Sequence, residues 1–219
     1  MQERQYITVE QLKKILKCII ERKTRSFNRF CAIRDFTIVF IMYYTGVRPR
    51  EITRAKLEYL DITKGTLYIP GGNNKQREDD IIPLTDFVLA VLYQYLEIRK
   101  GHRCNASPWL FPNISGQPID RSTLAQLFKK AIKKAGLYKL SYIDKQGLPR
   151  GNLSLYSLRH SFATNAYLKL HDIRKVALLL RHRDYSCRST MRYLHSAQEL
   201  KYKDILDEVY QDQGEKIYK

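Results

Sequence analysis

The run 31–44 constrains this chain more than any other feature, because it is apolar almost all the way round. Phe36, Ile38, Val39, Phe40, Ile41 and Met42 would leave a helix here with no broad polar face for water. Such a helix has to be buried by other elements. It is too short to be a membrane span, and no run of about 18 apolar residues occurs elsewhere. Gly46 is placed to end the helix, and Pro49 suits the first turn of the next, which is expected to run to about Leu57.

The remaining segments supply what could cover it. Residues 8–21 predict an amphipathic helix, with Leu12, Ile15, Leu16, Ile19 and Ile20 on one face. Thr8 and Gln11 form its capping box, and Ile7 can staple onto Leu12. Residues 21–28 are polar and read as a loop. Residues 66–69 and 81–84 read as two short strands of a hairpin whose long basic tip holds Gly71, Gly72, Asn73, Asn74 and Lys75. Further helices are expected over 87–99, 122–135, 157–170, 172–180, 189–194 and 197–210, with 141–152 as an exposed loop. The predicted fold class is α+β, mostly helical, with a small antiparallel sheet.

Composition narrows the partners. The chain has 219 residues, 44% of them hydrophobic, which is enough for a real core. Its net charge of +17, from 39 Lys and Arg against 22 Asp and Glu, favours a polyanion. The basic residues are spread through folded segments and not along one amphipathic helix, which favours nucleic acid over a membrane surface. Residues 1–5 lack the apolar core of a signal peptide. Cys18, Cys31, Cys104 and Cys187 form no CxxC pair and no zinc spacing, so they read as free thiols in a reducing cytosol. The Gly71–Asn74 stretch is turn chemistry and not a phosphate-binding loop for nucleotides. No metal or cofactor is expected.

Three segments carry chemistry. In Thr45-Gly46-Val47-Arg48-Pro49-Arg50-Glu51, an arginine follows a broken helix and opens the next, where a guanidinium and free backbone N–H groups can grip a phosphate. Read alone, it is equally a surface arginine paired with Glu51. In Leu158-Arg159-His160-Ser161-Phe162-Ala163-Thr164, an Arg-His pair sits near a helix start. In Leu180-Arg181-His182, a histidine lies just past a helix end, and Tyr193 follows eleven residues later, ahead of Leu194 and His195. Tyrosine is abundant at 16 residues, so no single one stands out by itself.

In this order and at these separations, the three segments resemble the catalytic domain of the tyrosine recombinase (phage integrase) family. The resemblance runs from about Ile7 to His195. The opening 6–11 and the stretch Trp109-Leu110-Phe111-Pro112 with Gly116-Gln117-Pro118 are also similar to the family's domain start and mid-domain loop. The resemblance implies a single domain of the DNA breaking-rejoining type over 1–195. Residues 196–219 would be a C-terminal helix and tail that could dock on a neighbouring subunit, and the family's N-terminal core-binding domain is expected to be absent. It implies Arg48 and Arg159 as the catalytic arginines, His182 as donor to the scissile phosphate, Tyr193 as nucleophile, Lys75 as general acid and Glu51 as support for Arg48. The family usually has histidine where this chain has Tyr156, a phenol that can still donate a hydrogen bond.

The implied activity is cutting and rejoining of double-stranded DNA through a 3′-phosphotyrosine, by a cytoplasmic, nucleoid-associated protein that self-associates as a tetramer on DNA. Three alternatives remain at this stage: an inactive DNA-binding relative with a regulatory role, a type IB topoisomerase-like enzyme or hairpin telomere resolvase, and a basic structural nucleic-acid-binding protein.

Overall fold

The apolar run lies in a helix, α2, spanning Phe27–Thr45 in the computed structural model. Residues 6–21, 27–73, 78–144, 146, 147, 149–182 and 190 are described. They fall into two compact units divided between Ser161 and Phe162.

In the first unit, α2 packs against α1 (Val9–Ile20) and α4 (Asp86–Lys100). Thr8 caps α1 through the capping box with Gln11, as the sequence predicts. Leu12, Ile15, Leu16 and Ile19 point into the core, where Ile38, Val39, Ile41, Met42 and Tyr43 of α2 are fully buried. The helix is not wholly apolar. Arg34 and Asp35 are buried on it as an ion pair (2.8 Å), and Arg34 Nη1 also donates to Pro112 O at 2.7 Å. Pairing together with hydrogen bonding is what makes a buried charge tolerable.

A three-stranded antiparallel sheet in the order β1-β2-β3 follows, from β1 (Leu60–Asp61), β2 (Thr66–Ile69) and β3 (Asp80–Pro83). Leu67 faces Ile82, and both are buried. α5 (Arg121–Lys134) packs on α1 and buries Leu124, Phe128, Ala131 and Ile132. The Trp109–Phe111 stretch inserts Leu110 and Phe111 into the core, held by Tyr95, whose hydroxyl donates to Leu110 O at 2.8 Å. Burial pushes that phenol above its ordinary range.

Four expectations need correction. The helix opened by Pro49, α3, spans only Pro49–Thr53 and stops short of Leu57. Beyond it the backbone is committed elsewhere: Ala55 O accepts from Leu110 N, and Leu57 N donates to Pro108 O. The polar 21–28 loop is shorter than expected, since α2 already includes Phe27 and Asn28. The second hairpin strand begins one residue early, at Asp80. Residues 141–152 are not a plain loop. They carry most of a second antiparallel pair, β4 (Leu140–Ile143) with β5 (Pro149–Gly151). Tyr138 packs so closely on Gly151 that a Cβ there would fall 2.4 Å from its ring, so only glycine fits.

Helix α6 (Leu155–Leu170) begins in the first unit. In the second unit, Ala163, Val176 and Leu180 form a small buried cluster with Phe162, Ala166 and Tyr167 against it. There α7 (Ile173–Leu179) is capped by Asp172, whose side chain accepts from Arg174 N and Lys175 N. Of the helix expected over 189–194 only Thr190, which is helical, is described, and the helix expected over 197–210 lies outside the described residues. Among the described residues no helix is long and apolar enough to cross a membrane.

Candidate active site

The site is assembled around the turn that ends α2. Gly46 takes φ 63°, the left-handed conformation that suits a helix-stopping glycine. Thr45 Oγ1 donates to Ile41 O at 2.7 Å and accepts from Val47 N at 3.3 Å, so the turn is fixed from both sides. Arg48 then caps α3 in extended conformation, with Pro49 at the first helical position.

One buried carboxylate holds Arg48 twice. Glu51 is only 1% exposed. Its Oε2 accepts from Arg48 N at 2.9 Å and its Oε1 from Arg48 Nη1 at 2.7 Å. The pairing with Glu51 is therefore real, but the carboxylate is in the interior and not on the surface. The guanidinium keeps part of its surface open and its orientation set.

The second arginine arrives from 113 residues away: Arg159 Nη1 donates to Gly46 O. Its side chain is buried, and its target is the carbonyl of the turn that presents Arg48. Sequence reasoning had no local signal for this bond. Ser161 adds a further tie, accepting from Ile7 N at 2.7 Å and donating to Ser157 O at 2.8 Å. Tyr156 lies one helical turn before Arg159 and is 48% exposed.

Lys75 lies outside the described residues. The base of its loop is described: Asp79 Oδ1 accepts from Gly71 N at 2.9 Å. That bond, with a second from the Tyr68 hydroxyl, holds the Asp79 carboxyl below its ordinary range. Beside α3, Arg50, Arg54 and Arg121 line a groove of about 400 Å³ with Pro118 and Asp120.

In the second unit, α7 ends in a backbone closure that places His182. Arg181 adopts φ 55°, Arg181 N donates to Leu178 O at 2.8 Å, and His182 N donates to Ala177 O at 2.9 Å. This is the helix-ending pattern that usually takes glycine at the left-handed position. The imidazole Nδ1 lies 2.8 Å from Thr190 Oγ1. Thr190 was not foreseen from the sequence. Tyr193, and Tyr185, the other tyrosine between His182 and His195, lie outside the described residues.

The described structure thus brings Arg48, Glu51 and Arg159 together in one unit and holds His182 in the other. No cluster of His, Cys, Asp or Glu fit for a metal occurs among the described residues.

Comparison with known proteins identifies the family and the fold. The phage integrase family model matches residues 5–199, so the chain belongs to that family. The tyrosine recombinase XerD of Staphylococcus saprophyticus is 30% identical over 175 residues, covering 79% of this chain and 54% of the relative. The XerD of Staphylococcus aureus strain Mu50 matches equally, at 30% over 175 residues and the same coverage of both chains. The chain spans about half the length of these curated relatives. Among solved structures, XerA recombinase superposes with a TM-score of 0.68 at 23% identity, covering 91% of this chain and 62% of that one. XerH recombinase, in a post-cleavage complex with its difH substrate, also scores 0.68, at 22% identity, covering 92% of this chain and 52% of that one. The fold is that of tyrosine recombinase catalytic domains.

Proposed function

We propose that this chain cuts and rejoins double-stranded DNA as the catalytic part of a site-specific recombinase. The observation that carries the reading is the buried Arg159 reaching the carbonyl of Gly46, two residues before Arg48. Two guanidiniums gathered at one turn suit a phosphate, whose non-bridging oxygens accept paired N–H donors. The groove lined by Arg50, Arg54 and Arg121 extends the positive field beside them, and the net charge of +17 has the same sense.

In this reading the Tyr193 oxygen attacks the phosphorus in line as its phenol proton passes to solvent. A 3′-phosphotyrosine forms and the 5′-oxygen leaves, taking a proton from Lys75. Arg48 and Arg159 balance the charge that builds on the non-bridging oxygens, and His182 donates a hydrogen bond to one of them. Tyr156 supports the site as a neutral donor. Attack by a 5′-hydroxyl reverses the step, so the phosphodiester energy is retained and no nucleotide is consumed. Residues 1–195 act as the catalytic domain and 196–219 as a segment for docking on a neighbouring subunit, in a tetramer on DNA.

A nicked suicide duplex tests this. Wild-type protein is expected to form a covalent protein–DNA adduct and Tyr193→Phe none. A protein that binds the duplex but forms no adduct would be a non-cleaving relative, and the proposal would fail.

A further inference from the structure

We infer that Asp79 is a positioning residue for Lys75, pinning the mouth of the hairpin loop so that the loop can deliver its lysine to the leaving 5′-oxygen. This role rests on the reading of Lys75 as general acid above.

The pin shortens the loop. Ile69 and Asp80 are the last paired residues of β2 and β3, so residues 70–79 connect the strands. That is long for a hairpin, where about two to five residues are usual, and a longer free span spreads more widely. Asp79 Oδ1 accepts from Gly71 N at 2.9 Å, one step beyond the ladder. Only residues 72–78 then lie between the bonded ends, and Lys75 is the fourth residue from either one. A restraint at the mouth therefore acts along two arms of equal length.

The carboxylate is itself held. Tyr68 faces Ile81 across the ladder, and Ile81 is exposed, so this face is turned away from the core that Leu67 and Ile82 enter. Asp79 precedes Ile81 by two residues and shares that face. There the Tyr68 hydroxyl donates to its carboxylate. The Tyr68 ring in turn meets Tyr59 edge to face, with centroids 5.5 Å apart. Gly71 is buried, so its N–H is a donor that is costly to leave unpaired. Asp79 satisfies it from a side chain tied to the sheet.

A general acid works only within hydrogen-bond reach of the leaving oxygen, and a misplacement of about 1 Å is enough to slow a reaction. Lysine carries its charge on a long flexible stem, so its aim depends on the backbone that bears it.

Leaving-group chemistry tests the role in the full chain. Two nicked duplexes are compared, one with the normal 5′-bridging oxygen and one with sulfur in its place. Sulfur leaves as a thiolate, whose conjugate acid has a pKa of about 8.5, so it needs no proton from a lysine. On oxygen, Asp79→Ala should form adduct about 5-fold more slowly at saturating DNA, a part of the roughly 10²–10⁴-fold that a general acid supplies. On sulfur it should match wild type. Asp79→Asn keeps a carbonyl oxygen for Gly71 N–H and should keep the wild-type rate on both. Amide exchange at Gly71 should quicken in Asp79→Ala and not in Asp79→Asn.

A wild-type rate for Asp79→Ala on oxygen, or an equal slowing on both duplexes, would overturn the inference. Lys75→Ala should be slow on oxygen and restored on sulfur. If it is not, Lys75 is not the general acid, and the role of Asp79 falls with that reading. If Lys75→Ala behaves as expected and Asp79→Ala matches wild type on oxygen, only the role of Asp79 falls.

Discussion

The two units hold their functional groups by different means. In the first, Arg48 and Arg159 are fixed by groups that are themselves buried, the Glu51 carboxylate and the Gly46 carbonyl, against a core that draws on α1, α2, α4 and α5. In the second, His182 follows a helix end closed at a non-glycine residue and touches Thr190, beside a cluster of three buried apolar residues among the described ones. Local stability follows buried apolar contact. The arginines are therefore expected to be preorganised at little cost during turnover, whereas the histidine follows a helix-end closure and makes a side-chain contact that single substitutions can remove. Electrostatic preorganisation acts only if the donors do not move as charge develops.

The largest expected effect comes from the first unit. Arg159→Lys keeps the charge but loses the planar fork that reaches Gly46, and adduct formation on the nicked duplex should fall by about 10²–10³-fold. An unchanged rate would show that the Gly46 contact does not matter and would break the contrast between the units. Next comes Arg48→Ala, which removes the cation from the buried Glu51 carboxylate and keeps only the backbone bond from residue 48 to its Oε2. Chemical denaturation should show a loss of about 2–3 kcal/mol, toward the low end for a buried pair because Arg48 is partly exposed. Arg48→Ala with Glu51→Leu should regain much of that stability without any activity.

In the second unit the sign reverses. Arg181→Gly should raise stability by about 1 kcal/mol, because glycine takes the left-handed conformation without strain. Amide exchange of His182, whose N–H closes the helix end, would report it. No slowing there would mean that the closure is not under strain. The smallest effect concerns the loop that carries Lys75. The Asp79 carboxyl is held below the ordinary aspartate value of 3.8 by Gly71 N–H and the Tyr68 hydroxyl. Its contribution is therefore complete above that value and is lost as pH falls through the lower folded value. The Gly71 amide resonance should titrate with a midpoint below 3.8, and in Asp79→Asn it should not titrate.

What the sequence made legible was local. The Thr8–Gln11 capping box, the Gly46 stop and the Asp172 region each depend on residues within a few positions of one another. The misreadings were set by distant partners. α3 ends at Thr53 where the following backbone is already paired with Pro108 and Leu110. β4 carries no strand signal in sequence, because Leu140, Tyr142 and Ile143 show no buried-exposed alternation and every residue of that strand is exposed. The site divides in the same way. Arg48 with Glu51 could be paired from spacing alone, but the bond from Arg159 to Gly46 and the contact of His182 with Thr190 needed the fold.

The central claim is that Tyr193 becomes joined to DNA, and digestion of the trapped adduct tests it most directly. Trypsin would release the peptide 193–201 for Tyr193 and the peptide 184–188 for Tyr185, which mass spectrometry separates. The nucleotide-bearing mass is predicted on 193–201. A nucleotide on 184–188, or on any other tyrosine peptide, would contradict the account.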